Sequence, residues 1–283
     1  MPLGYFNGQF LPVGEIALPL DDAGVVWGAI VTDRLRTFGG RTFALDVHLR
    51  RFRQSCELAR VPQPIPDAKL GRITEQLVRE NRGDGDVSAV WLATPGPTVG
   101  ESRPTLIVST SELDPRAFEN QYRDGVRLVP VPATLGTDPR IKHRSRLPWW
   151  IARHQVHVQS PGAETMLVET GSEVVLETPS ANILAMFDGV LVSPPRDRIL
   201  QGVTLGMVGD LCKQIGLRFE EREFTVRDLD AASEVLLANT TYCLAGVSRI
   251  ADRPVPFPGP TLNRLLDAWS EWVGMDIRRQ MTG

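Results

Sequence analysis

The chain has 283 residues, 42% of them hydrophobic, a formal net charge of −3 and three cysteines. That length buries one large core or two modest ones, and no stretch gathers the Lys and Arg needed to follow a phosphate backbone, so nucleic acid is not an expected partner. Cys56, Cys212 and Cys243 are odd in number and lack CxxC spacing, which argues against a disulfide framework or a zinc site and for a reducing, cytoplasmic setting. No run approaches the ~18 apolar residues of a membrane span and the first 20 residues show no basic leader, so neither a membrane nor a metal ion is expected.

In chain order, Gly28 to Phe38 reads as a strand, β-branched early and alternating later, closed by a Gly39-Gly40 turn. Asp46 is expected to cap the helix that follows, on which Leu49, Phe52, Cys56 and Ala59 approximate one apolar face. A second amphipathic helix covers roughly residues 68–80. Two strand signals, VSAVWLAT and TLIVST, flank the turn-rich PGPTVGESRP. A polar stretch between Asp114 and Tyr122 then marks a boundary, giving lobes over residues 1–118 and 119–283. The second lobe opens with VRLVPVPA and a helix from Leu147. ETMLVET, NILAMF and GVLVSP follow as strands, the last two joined by an Asp188-Gly189 hairpin turn. A helix near Thr204, then FEEREFT, a short helix and SEVLLAN complete the reading.

Of 31 basic residues only Lys69, Lys142 and Lys213 are lysine. Lys69 and Lys213 lie in amphipathic helices and read as solvated. Lys142 follows turn material at a strand or loop end and is crowded by His143, Arg144 and Arg146, surroundings that favour an amine nucleophile toward aldehydes; a basic surface patch is the alternative. Glu177 precedes Pro179 at a strand end, where its carboxylate either points into a cleft or forms an edge charge. Gly202 and Thr204 open a helix whose free N–H groups suit an anion, or form a turn and a cap. Asn239-Thr240-Thr241 ends a strand in two hydroxyls. His48 and Arg51, three apart, share a helical face from which Arg51 can reach inward as a phosphate ligand.

In this order, His48-x-x-Arg51-Phe52, Lys142 with His143-Arg144-Ser145-Arg146-Leu147, Glu177 with Asn182, Leu200-x-Gly202-Val203-Thr204, and Asn239-Thr240-Thr241 resemble the class IV aminotransferases from about Leu18 to Ile250. The resemblance implies an α/β (α+β) fold-type IV enzyme, with a small N-terminal α/β lobe and a larger C-terminal pseudo-barrel lobe. It implies pyridoxal 5'-phosphate as cofactor, Lys142 as the Schiff-base lysine and proton carrier, and Glu177 as partner of the pyridine nitrogen. Arg51, Gly202, Val203, Thr204, Thr240 and Thr241 would bind the phosphate end, with Leu200 packed on the ring. The expected activity moves an amino group from an amino acid or amine to a keto acid, in a homodimer. The alternatives are an aminodeoxychorismate lyase-like carbon–carbon lyase, to which KHRSRL is similar, and a non-catalytic member of the fold.

Departures from the family patterns withhold the substrate. Leu147 stands where branched-chain enzymes commonly carry a tyrosine, Thr32-Asp33-Arg34 replaces a Phe-Glu-Gly segment, and Pro95-Gly96 replaces the Arg-Gly pair usual in D-amino-acid enzymes. Asp33-Arg34 also replaces the lyase's Thr-Thr pair. Because strand side chains alternate, Thr32, Arg34 and Arg36 share a face. These residues and Arg144 are the candidates for binding a substrate carboxylate.

Overall fold

The Asn7-Gly8 and Gly39-Gly40 turns each fold two strands back on one another, and between them these hairpins supply four of the six strands of the first sheet. A computed structural model describes residues 1–101, 103–133 and 136–283. It divides into two compact units, Met1–Asp114 with Ile141–Arg146, and Pro115–Arg140 with Leu147–Gly283.

The first unit comprises β1 (Leu3–Phe6), β2 (Gln9–Pro12), α1 (Ala23–Val26), β3 (Val31–Phe38), β4 (Arg41–Thr42), α2 (Leu45–Leu58), α3 (Asp67–Asn81), β5 (Val87–Thr94) and β6 (Thr105–Glu112). Its sheet is antiparallel in the order β2-β1-β6-β5-β3-β4. Val31, Leu35, Trp91 and Val108 point from the sheet into one core with Phe52 and Cys56 of α2 and Leu70, Ile73 and Leu77 of α3. The indole of Trp91 packs edge-on to Phe52 at 5.4 Å, and its N–H donates to the Thr74 hydroxyl, so no buried donor is left over.

Two local expectations are corrected here. The strand starts at Val31 rather than Gly28, whose φ of +65° lies outside the strand region. The α2 N-cap is Ala44, itself left-handed at φ 49°. Asp46 sits inside the first turn, where it accepts from Arg50 at 2.9 Å on the exposed side of the helix.

The second unit comprises α4 (Glu119–Arg123), β7 (Val126–Ala133), α5 (Leu147–Gln159), β8 (Glu164–Glu169), β9 (Asn182–Phe187), β10 (Val190–Ser193), α6 (Val203–Gln214), β11 (Arg218–Glu221), β12 (Glu234–Asn239), β13 (Cys243–Ile250), β14 (Arg253–Pro254), α7 (Pro260–Val273) and α8 (Ile277–Thr282). Its mixed sheet runs β11-β10-β9-β12-β13-β7-β8, with β14 beside β13. The β9–β10 turn is built on positive φ at both Asp188 and Gly189, the conformation that matches strand twist.

Residues 174–178 begin to close this sheet on itself. They bond β8 on one side, through Leu167 N to Glu177 O and Leu176 N to Leu167 O, and the stretch after β11 on the other, through Val175 N to Phe224 O. That partial closure is the pseudo-barrel, and it places Glu177 in the seam. β13, α7 and α8 extend the unit beyond the elements read from sequence. Leu262, Leu265, Leu266 and Trp269 form the buried stripe of α7, whose first amides donate to the Glu234 carboxylate on β12. Cys56, Cys212 and Cys243 are buried thiols outside any disulfide, and among the described residues no helix is long and apolar enough to cross a membrane.

Candidate active site

The backbone of Lys142 is fixed by hydrogen bonds to two elements of the first unit. The segment Ile141–Arg146 lies along the start of β3. Thr32 N donates to Lys142 O and Arg144 N donates to Ile30 O, both at 2.9 Å, while Lys142 N donates to the Ser55 hydroxyl on α2 at 3.1 Å. Val31 and His143 are the opposed pair of this antiparallel bridge. Directly opposed residues share a face and neighbours alternate, so Val31 and His143 lie on the helix-covered side. Lys142 and Arg144 lie on the other side, with Thr32 and Arg34. Lys142 is half-buried there.

The helix-covered side of β3 holds a buried charge cluster. Asp33 accepts from Arg51 twice, Nε to Oδ2 at 2.8 Å and Nη2 to Oδ1 at 2.7 Å, and its Oδ1 lies 2.8 Å from His48 Nδ1. Burial raises the Asp33 pKa, but the charges and hydrogen bonds of Arg51 and His48 outweigh it and hold the carboxyl well below the usual range. Burial, with the charges of Arg51 and Lys142, lowers the His48 pKa against the raising effect of Asp33. A neutral His48 donating from Nδ1 to Asp33 satisfies both, and its Nε2 is buried without a hydrogen bond. In the sequence Asp33 stands out only as a departure from family patterns. Its part in fixing Arg51 carries no local signal, because the two are 18 residues apart.

The four candidate substrate residues separate into two pairs. The Thr32 hydroxyl is buried and donates to Trp91 O at 2.9 Å. Arg36 is 1% exposed; its Nε donates to Thr37 O, its Nη2 lies 3.7 Å from Asp86, and its guanidinium stacks 4.0 Å from the Phe38 ring centre. Substrate binding is therefore not where the structure puts Arg36: sheet packing and Asp86 already hold its guanidinium inside the unit. Arg34 and Arg144 are exposed, and among the described residues neither meets a carboxylate.

In the second unit, Glu177 is 4% exposed and its Oε2 accepts from Asn182 Nδ2 at 3.1 Å and Leu200 N at 3.3 Å. The same Asn182 amide donates to Leu200 O at 2.9 Å, tying the carboxylate to the stretch leading into α6. Gly202 is the N-cap of α6 and makes no side-chain cap; a Cβ there would fall 2.0 Å from Asn182 Oδ1. The amides of Val203 and Thr204 thus head a twelve-residue helix with the positive end of its dipole uncapped by a side chain. Thr240 and Thr241 follow β12, where Asn239 Oδ1 accepts from Thr241 N at 2.6 Å. Ala238 pairs with Asn182, so the Thr pair, Asn182 and Gly202 collect at one end of the sheet.

A buried carboxylate beside an uncapped helix N-terminus and two hydroxyls suits a ligand with a protonated ring nitrogen at one end and a phosphate at the other. These are the features of pyridoxal phosphate, and the second unit's donor and acceptor set fits it. Residues 31–250 match the family described as amino-transferase class IV. The chain belongs to that family, and it is a pyridoxal-phosphate-dependent transaminase.

Among curated relatives, a D-alanine aminotransferase of Staphylococcus aureus is 25% identical over 281 residues, covering 95% of this chain and 97% of its own. A putative branched-chain-amino-acid aminotransferase of Methanocaldococcus jannaschii is 25% identical, covering 89% and 88%. Among solved structures, the branched-chain aminotransferase of the archaeon Thermoproteus uzoniensis with norvaline superposes with a TM-score of 0.87 at 19% identity over 96% of this chain and 95% of that one. The pyridoxal-phosphate-bound form of a hypothetical aminotransferase from Mycobacterium tuberculosis does so at 0.83, with 24% identity over 97% and 98%.

Proposed function

We propose that Lys142 is the residue that carries the cofactor covalently and moves the proton in transamination between an amino acid or amine and a keto acid. The observation that carries this reading is the anchoring of residues 141–144. Three backbone hydrogen bonds fix the main chain while the half-buried amine stays on the side of β3 that the helices do not cover. Pyridoxal phosphate, when bound, would supply an electron sink for the substrate α-carbon. Lys142 Nζ would take the α-proton and return it on the cofactor side.

Glu177 would hold the proton on the ring nitrogen. The Val203 and Thr204 amides and the Thr240 and Thr241 hydroxyls would hold the phosphate and Leu200 would pack on the ring, while Gly202 keeps the helix start close to Asn182. The family resemblance adds Arg51 to the phosphate ligands, with Asp33 orienting its guanidinium. On this reading residues 119–283, apart from the Ile141–Arg146 stretch that belongs to the first unit, form the cofactor-binding lobe, and the enzyme acts as a cytoplasmic homodimer.

Borohydride reduction of the holoenzyme followed by peptide mapping tests the assignment, with the reduced cofactor expected on Lys142. Recovery on Lys69, on Lys213 or nowhere refutes it. Lys142→Ala is expected to abolish turnover with little change in Tm, because its side chain fills no core. Initial rates with varied donor and acceptor should give parallel double-reciprocal lines, as a ping-pong reaction requires.

A further inference from the structure

We propose that Ser55 is a positioning residue for transamination: its hydroxyl holds the peptide nitrogen of Lys142 and so sets where the Lys142 amine stands. The inference rests on the reading of Lys142 as the reacting amine. Helical hydroxyls elsewhere in the chain turn back on their own helix. Thr74 donates to Leu70 O, Ser270 to Leu266 O and Thr282 to Arg278 O, each four residues earlier. Ser55 makes no such bond among the described residues; its Oγ instead accepts from Lys142 N at 3.1 Å, across 87 positions of sequence.

Of the three hydrogen bonds that anchor residues 141–144, only this one depends on a side chain. The bonds from Thr32 N to Lys142 O and from Arg144 N to Ile30 O are made by main chain and persist whatever side chains stand there. Lys142 N is held by a hydroxyl that is fully buried on α2. Thr32 and Ser55 together fix the peptide groups on either side of the Lys142 Cα, while Ile141 packs against the core that contains Phe52 and Cys56. The root of the lysine side chain is thus defined, and only its own torsions remain to place Nζ.

Ser55 lies one turn after Arg51 and seven residues after His48, so the three share a face of α2. All three are buried polar groups, and each is matched to a partner outside the helix: His48 and Arg51 to Asp33, Ser55 to Lys142. A polar side chain in this core is unfavourable unless it is hydrogen-bonded, and an alanine would pack there without that cost. The hydroxyl therefore contributes its bond to the Lys142 segment rather than to α2. On the proposed reading, one turn of this helix sets both the phosphate ligand Arg51 and the backbone of the reacting amine.

The test compares Ser55→Ala and Ser55→Thr with Thr74→Ala, which removes a buried hydroxyl from the same unit that bonds Leu70 O and the Trp91 indole. In Ser55→Ala, kcat should fall about tenfold with KM within about twofold, because a displaced reacting group loses rate rather than substrate affinity. Pyridoxal phosphate titrated into the apo-protein and followed by its visible absorption should bind about tenfold more weakly. Tm should fall by no more than about 4 °C. Ser55→Thr returns the hydroxyl and should recover most of kcat even where its extra methyl lowers Tm. Thr74→Ala should lose about 4 °C or more in Tm and keep kcat and cofactor affinity.

Unchanged kcat and cofactor affinity in Ser55→Ala overturn the positioning role. So does an equal loss of kcat in Thr74→Ala, which is what a purely structural hydroxyl gives, or a folded Ser55→Thr that is as slow as Ser55→Ala. Borohydride mapping separates this role from the reading beneath it. Label on Lys142 together with a fully active Ser55→Ala removes Ser55 alone. Label elsewhere removes Lys142 as the reacting amine, and the positioning role falls with it.

Discussion

Asp33 and Glu177 are both buried carboxylates, one in each unit, and they are stabilised in opposite ways. Asp33 faces a bidentate guanidinium and an imidazole, and its charge is matched inside the fold. Glu177 accepts hydrogen bonds from the side-chain amide of Asn182 and the backbone amide of Leu200, which stabilise an anion by dipoles without cancelling its charge. The difference separates a carboxylate bonded by a guanidinium from one bonded by amides. On the reading proposed above, Glu177 is the partner of the ring nitrogen of pyridoxal phosphate.

The sharpest way to break the comparison is Asp33→Ala, which removes the carboxylate that the buried Arg51 guanidinium donates to twice. It should cost about 3–5 kcal/mol of unfolding free energy in a denaturant titration of the holoenzyme. Glu177→Gln keeps shape and amide contacts but removes the charge. We expect a native-like melting curve with kcat/KM down about 100-fold, equivalent to ~2.7 kcal/mol of transition-state stabilisation. Equal losses of stability in the two variants would erase the distinction drawn here.

Gly202→Ala sets a methyl against Asn182 Oδ1 and should cost about 1–3 kcal/mol while weakening cofactor retention, because Asn182 also positions Glu177. Acid titration sharpens the same contrast. The folded pKa of Asp33 lies below its unfolded value of about 3.9, so its contribution is complete above that pH and is lost as pH falls toward the folded value. Asp33→Asn should therefore flatten the acid limb of the stability curve below about pH 4. Asp46→Ala is the control: the Asp46–Arg50 pair is exposed on α2, and its loss should change stability by no more than about 0.5 kcal/mol.

The elements that periodicity announces are present. β5 and β7 occupy the stretches expected of VSAVWLAT and VRLVPVPA, and Phe52 and Cys56 lie on the buried face of α2. Asp46 is not the cap because the left-handed Ala44 starts the helix earlier, and alanine gives no sequence sign of that conformation. The β1–β2 hairpin and α7, absent from the expected elements, do have sequence signals: Asn7-Gly8 between apolar flanks, and the spacing of Leu262, Leu265, Leu266 and Trp269.

For the site, the pairing of Glu177 with Asn182, five residues on, is near enough in sequence to be anticipated from turn residues. The pairing of Arg51 with Asp33, and of residues 142–144 with β3, depends on register between distant segments. No local pattern specifies it. Arg36 shows the same limit from the other side, since strand alternation places it on the face of Arg34 but does not reveal Asp86 and Phe38 waiting for it.

The assignment of Ile141–Arg146 to the first unit, with second-unit residues on both flanks, has a consequence for anyone who would take the protein apart. The chain passes between the units three times, so no single cut yields two self-sufficient halves. A fragment ending at Asp114 leaves the stretch bearing Lys142 in the other piece, together with the peptide edge that Thr32 and Ile30 bind. The two fragments should regain function only when mixed, by complementation, and grafting a new amine into this scaffold means replacing a six-residue insert rather than exchanging a domain.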